Sequence, residues 1–160
     1  MNSYSPSVYL CGQITGATFD ESKFGWRREV THNLKRYGIT CWSPMRWKYK
    51  EQFSKDAQQS MSPMGGEDVM STPKGITARD RFDTMRSDLI FCNLMGMEKI
   101  SVGSMIEFGW ADAMRIPILL VAEEGNIHEH AMVNEMISFR AYNLAEGMKI
   151  ARKVLTPEEI

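Results

Sequence analysis

Two carboxylates, Asp80 and Glu107, fall where they could do chemistry. Glu107 is flanked by Ile106, Phe108, Gly109 and Trp110, so its carboxylate should border an apolar pocket. A carboxylate in such surroundings can act as a nucleophile toward an electron-poor sugar carbon. The local pattern also allows a plainer role. Ser104-Met-Ile-Glu107 fits the S-x-x-E capping box, in which the glutamate only caps its own helix. Asp80 and Asp83 share a segment with Arg79, Arg81 and Arg86, which reads as an exposed, ion-paired face of little energetic weight. His128 and His130 lie in the polar stretch 123–130, where a histidine is more often a loop residue than a catalyst.

The elements that must position these groups lie in residues 76–114. Ile76–Met85 has helical spacing, and Leu89–Leu94 is an apolar run of strand length. Gly103 and Ser104 then open an amphipathic helix carrying Ile106, Phe108, Trp110 and Met114, with Glu107 expected in its first turn. In a parallel sheet, the helix after a strand starts at the strand's carboxyl end, where ligands bind. Upstream, Val8–Cys11 is a strand-like run, and Gly12-Gln13-Ile14-Thr15-Gly16 is a permissive turn suited to close approach of a ligand. Phe19–Tyr37 is expected as one helix ending at Gly38, and Ile39–Trp42 as a second strand. Ile116–Ala122 reads as a strand buried on both faces, Glu129–Ile137 as a short helix, Ser138–Tyr142 as a strand and Asn143–Leu155 as a closing helix. This alternation predicts an α/β fold, a doubly wound parallel sheet of about five strands in a single domain spanning residues 1–160. Residues 45–75 interrupt the pattern with a basic, aromatic run and then a Ser/Met/Gly/Pro-rich stretch. They are expected to be an insertion, either a solvated loop or a lid.

A chain of 160 residues with 43% hydrophobic residues can bury a sizeable core. A net charge of −1 gives no reason to expect a nucleic-acid polymer or an anionic membrane as partner. The three cysteines, Cys11, Cys41 and Cys92, sit in apolar runs and read as buried thiols. No metal-ligand spacing occurs, so neither metal nor other cofactor is expected. No run approaches membrane-spanning length and no leader pattern opens the chain, so a cytoplasmic protein is expected.

Several separated motifs agree with one family. The chain resembles the nucleoside 2-deoxyribosyltransferase superfamily, which includes the 2'-deoxynucleoside 5'-monophosphate N-glycosidases. The matching pieces are Val8-Tyr-Leu-Cys-Gly-Gln-Ile-Thr-Gly16, Asp80 eight residues before Asp88-Leu-Ile, Ser101-Val-Gly-Ser-Met-Ile-Glu-Phe-Gly-Trp-Ala111, and His130-Ala-Met. The resemblance implies a Rossmann-like, flavodoxin-like domain that acts on a small nucleotide or nucleoside. Glu107 matches the nucleophile that attacks C1' of the sugar, Asp80 the acid that assists departure of the base, and Tyr9 a hydroxyl that orients the nucleophile. Gly12, Gln13, Ile14, Gly16, Ser101 and Gly103 would contact the substrate. The family is oligomeric with shared sites, and His130 falls where a neighbouring subunit contributes, so a homodimer or larger homo-oligomer is implied.

Transferases acting on free nucleosides usually carry an acid six positions before the nucleophile. Ser101 stands there instead, as in the nucleotide N-glycosidases, and Thr15 stands where that branch can have arginine. The implied activity is cleavage of a (2'-deoxy)nucleoside 5'-monophosphate, with nucleoside 2-deoxyribosyl transfer as the alternative. A sensor of the same fold without turnover is the rival of another class, and it has no need of both Asp80 and Glu107.

Overall fold

The structure is a computed structural model and describes residues 4–48, 69 and 72–157. Five parallel strands form one sheet: β1 (Ser7–Gly12), β2 (Thr40–Trp42), β3 (Leu89–Asn93), β4 (Ile118–Val121) and β5 (Phe139–Ala141). Their order is β2-β1-β3-β4-β5, with Tyr9 beside Ile90, Cys11 beside Cys92 and Gly12 beside Asn93. The chain steps outward from β1 to β2 and then crosses back to β3. The reversal of direction, where ligands bind in such sheets, therefore lies between β1 and β3.

Among the described residues, six helices cover the sheet: α1 (Phe19–Phe24), α2 (Trp26–Lys35), α3 (Pro73–Met85), α4 (Val102–Ala113), α5 (Ala131–Met136) and α6 (Leu144–Leu155). Alternate residues of each strand face opposite sides. Val8, Leu10, Leu89, Phe91, Leu119 and Val121 pack with α2 and α6. Tyr9, Cys11, Ile90, Cys92, Ile118 and Leu120 pack with α4 and α5, and α3 lies against α4. Both faces of the central strands are thus buried, which is why they read as unbroken apolar runs. Cys11 and Cys92 are buried and Cys41 is half-buried, all as free thiols. No helix among the described residues is long and apolar enough to cross a membrane.

Two expectations about the elements need correcting. The helix expected over Phe19–Tyr37 is two helices, because Gly25 (φ −69°, ψ −129°) breaks the spiral between them. A Cβ there would lie 2.5 Å from the Glu21 carbonyl oxygen, so the break requires glycine. The helix ahead of β3 begins at Pro73 and not Ile76: Thr72 caps it and proline takes the first helical position. The expected insertion at 45–75 lies largely outside the described residues; of its ends, Met45–Lys48 form a turn after β2, and 72–75 begin α3.

Candidate active site

The α4 helix starts at Val102, one residue before the expected opening at Gly103, and its N-cap is Ser101, three residues before the Ser104 cap that the capping box would require. Glu107 is therefore in the second turn, too far along to cap the helix, and the capping-box reading is set aside. Its carboxylate is committed elsewhere. Tyr9 and Cys11 project from the same face of β1, and the Tyr9 hydroxyl donates to Glu107 Oε1 at 2.7 Å. The Cys11 thiol helps hold the Glu107 pKa down, and the Cys92 thiol donates to Cys11 Sγ at 3.2 Å. Glu107 keeps some contact with solvent, yet the protein packed around it makes ionisation costly. Burial first, and then the nearby Asp80 charge, lift its pKa to about 7 against the opposing pull of Cys11, Tyr9 and Arg27. Burial and the two carboxylates push the Tyr9 phenol well above its ordinary value, so it stays a proton donor.

Asp80 does not lie on a solvated face. Residues 79, 80 and 83 share the inner side of α3, where Asp83 is fully buried and Arg79 and Asp80 nearly so. The expected exposed ion-paired face is turned inward because each carboxylate has a guanidinium to neutralise it. Asp83 is held by Arg46 and, at 2.8 Å, by Arg86. Asp80 Oδ1 lies 3.3 Å from Arg79 Nη2. Arg79 also donates to the carbonyls of Pro44 and Arg46, which ties the turn after β2 to α3. Burial raises the Asp80 pKa, while Arg79 and Lys48 pull it down.

Two buried cations complete this cluster, and neither was anticipated from the sequence. Arg27 is 1% exposed and donates to the carbonyls of Leu10 (3.3 Å), Gly12 (2.8 Å), Gln13 (3.2 Å) and Ser22 (2.9 Å). It fixes the loop beyond β1 and lends positive charge to Glu107 and Tyr9. A signal for it existed, since Arg27 sits three and seven residues before Val30 and Leu34, inside the buried stripe of α2. Lys48 is 3% exposed and feels the charges of Asp80 and Glu107. Its basic, aromatic neighbourhood in the sequence carried no such signal.

Tyr9, Asp80 and Glu107 thus come together, and Ser101 and Gly103 open the helix that carries Glu107. The Ser101 N–H donates to His128 Nε2 at 2.8 Å, and Nδ1 of His128 pairs with Asn126 Oδ1 at 2.7 Å. Burial lowers the His128 pKa, so the ring stays neutral and serves as a strut for Ser101. The Ser101 hydroxyl lies 2.9 Å from that of Ser104. Gly12, Gln13, Ile14 and Gly16 form the loop beyond β1, where Gly16 has φ +84° and Gly12 φ +149°. A Cβ on Gly12 would lie 2.6 Å from the Asn93 carbonyl oxygen, so β1 and β3 can approach this closely only with glycine there. A cavity of about 410 Å³ opens beside this loop, lined by Gln13, Gly16, Trp26, Asn93 and Met97 among others. Its lining includes neither Tyr9, Asp80 nor Glu107, so it lies beside the carboxylate cluster and not on it. His130 is exposed and caps α5, its Nδ1 accepting from the Met132 N–H at 3.2 Å.

No curated protein matches the chain. Among solved structures, the CMP N-glycosidase BcmB of Clostridium botulinum is 16% identical, with 91% of this chain and 96% of that one covered and a TM-score of 0.55. A conserved protein from Enterococcus faecalis V583 is 14% identical, with 92% and 88% covered and a TM-score of 0.53. At these identities both speak for the fold alone. A family model described as nucleoside 2-deoxyribosyltransferase matches residues 8–152, nearly the whole chain. The chain belongs to the nucleoside 2-deoxyribosyltransferase family.

Proposed function

We propose that this protein cleaves the N-glycosidic bond of a (2'-deoxy)nucleoside 5'-monophosphate, with retention, through a glycosyl ester on Glu107. The observation that carries the reading is the 2.7 Å hydrogen bond from Tyr9 to Glu107, in a largely buried cluster that also holds Asp80. Two neighbouring carboxylates resist ionising together, which suits one to be the anion and the other the acid. Glu107 attacks C1', the electron pair of the C1'–N bond passes to the base, and Asp80 supplies the proton. Water then hydrolyses the ester with Asp80 as base, which frees Glu107.

The phosphate end of the substrate is assigned to Ser101 and the start of α4. There a hydroxyl and the first N–H groups of a helix favour an anion, whereas an acidic residue would repel it. The fold neighbour named as a CMP N-glycosidase also acts on a nucleotide, which supports this branch. We further propose a homo-oligomer whose sites are shared, with His130 reaching the neighbour's pocket. The second reading, base exchange on free deoxynucleosides, is kept because the same carboxylate pair serves both reactions.

A single assay separates them: base release from nucleosides and their 5'-monophosphates, with and without an acceptor base. The parent should prefer the monophosphates by tenfold or more, since a charge-assisted hydrogen bond is worth about 1.5–3 kcal/mol. Ser101→Asp should weaken nucleotide use and spare the nucleoside. Glu107→Gln should lose several orders of magnitude in rate with the fold intact. A parent that already prefers the free nucleoside and needs an acceptor base is a transferase.

A further inference from the structure

Lys48 has no part in the steps above, and a lysine this deeply buried is uncommon. The chain goes to some length to place it. Trp47, just before it, has φ +60°, a left-handed conformation that a bulky residue adopts only when its surroundings enforce it. Trp47 itself is 69% exposed, so this turn leaves a tryptophan in water and puts a lysine inside. The turn is tied at several points. Lys23 Nζ donates to the Lys48 carbonyl, the Lys48 N–H donates to the Met45 carbonyl at 3.3 Å, and Arg79 holds the carbonyls of Pro44 and Arg46. The charges that act on the ammonium are Asp80 and Arg79 from α3, Arg27 from α2 and Glu107 from α4, with Asp80 the strongest attraction.

The sheet order says which end of a substrate this cation meets. Lys48 follows β2, outside β1, whereas Ser101 and His128 follow β3 and β4 on the opposite flank. If C1' sits at Glu107 and the phosphate at Ser101, the base extends toward Asp80 and Lys48. We propose that Lys48 determines base specificity by donating a hydrogen bond from its ammonium to an oxo group on the leaving base. The inference rests on the N-glycosidase reading of Glu107 for the direction in which the substrate lies. An ammonium has three donors and no acceptor, so it suits a carbonyl oxygen and is mismatched to an exocyclic amino group. When the C1'–N bond breaks, its electron pair enters the base and part of the charge reaches the oxo oxygen. Lys48 keeps its proton throughout, and Asp80 delivers the one that the base takes away. Uracil, cytosine, guanine and hypoxanthine are therefore accepted, and adenine, which has no oxo group, is not.

The test is equilibrium binding and base release with the 2'-deoxyribonucleoside 5'-monophosphates of uracil, cytosine, hypoxanthine and adenine. The best oxo-bearing nucleotide should exceed the adenine nucleotide by about ten- to a hundredfold in affinity. Lys48→Met should bring it down to the adenine level. Lys48→Gln, whose amide both donates and accepts, should instead raise the adenine nucleotide. Burial draws the Lys48 pKa down to about 8. In the parent the oxo preference should therefore fade as pH rises through 8, a limb absent from Lys48→Met. Glu107 titrates lower, at about 7, and so contributes a separate limb. Equal losses on all four nucleotides in both variants, an unchanged ranking, or no binding of any nucleotide would overturn the assignment. Selective binding that depends on Lys48 but comes with no base release would overturn the N-glycosidase reading and leave this assignment standing.

Discussion

At the scale of single residues, the proposed nucleophile is held where its charge is expensive and then supplied with donors that make the charge tolerable. Glu107 must be ionised to attack, so kcat/KM should rise with pH through about 7 as the proton leaves. Tyr9 donates to the ionised form, and removing that bond makes ionisation harder. Tyr9→Phe should move the acid limb upward by about one pH unit, the equivalent of one charge-assisted hydrogen bond. A limb that stays in place while the rate falls would show that Tyr9 orients the carboxylate without tuning it. Glu107 was legible as a candidate by residue type and flanking sequence, and Asp80 and Tyr9 through the resemblance. Arg27, Lys48 and Asp83 were not. Charged side chains are ordinarily at the surface, and only the folded cluster shows each of these against opposite charge or carbonyl oxygens.

At the scale of elements, the loop beyond β1 is shaped by a side chain from the helix that follows it. Arg27 can reach the carbonyls of Gly12 and Gln13 because Gly25 ends α1 and restarts the chain as α2, which puts Arg27 on the stripe that faces the sheet. Arg27→Met keeps the apolar stem but leaves buried carbonyls without a donor, at a cost of about 3 kcal/mol or more. The midpoint of urea unfolding should fall accordingly. In enzyme that is still folded, KM should rise before kcat drops, as the Gly12–Gly16 loop loses its anchor. A midpoint equal to the parent's would mean that water replaces the guanidinium and that the loop holds itself. The central strands β1, β3 and β4 were legible because each is buried on both faces and reads as an apolar run. The helix boundaries were less so. Gly25 looked like an ordinary helix residue, and Ser101 and Ser104 are equally good N-cap residues by type. The choice is made in three dimensions, where Ser101 is braced by His128.

At the scale of the whole molecule, α4 turns one face to the Glu107 cluster and leaves another in water. Val102, Ile106 and Met114 are exposed along it, Gly103 and Gly109 have open space where a side chain would be, and Met132 is exposed on neighbouring α5. Contiguous apolar surface of this kind is uncommon on a protein that works alone, and small residues on a helix let another chain approach closely. His130 begins α5 beside this surface and spends its Nδ1 on its own helix, so its ring is presented at the rim. Sedimentation velocity should therefore give a dimer or larger species. Sharing of sites makes a sharper demand. Glu107→Ala and His130→Ala chains should each be nearly inactive, and mixing them under exchange should restore activity, because a hybrid pair has one site with Glu107 from one chain and His130 from the other. For a dimer mixed in equal amounts, half the pairs are hybrids with one good site of two, so recovery should approach about a quarter of the parent rate. Restoration far below that with confirmed exchange, or a fully active monomer, would mean that each chain carries its own complete site and that His130 serves only its helix.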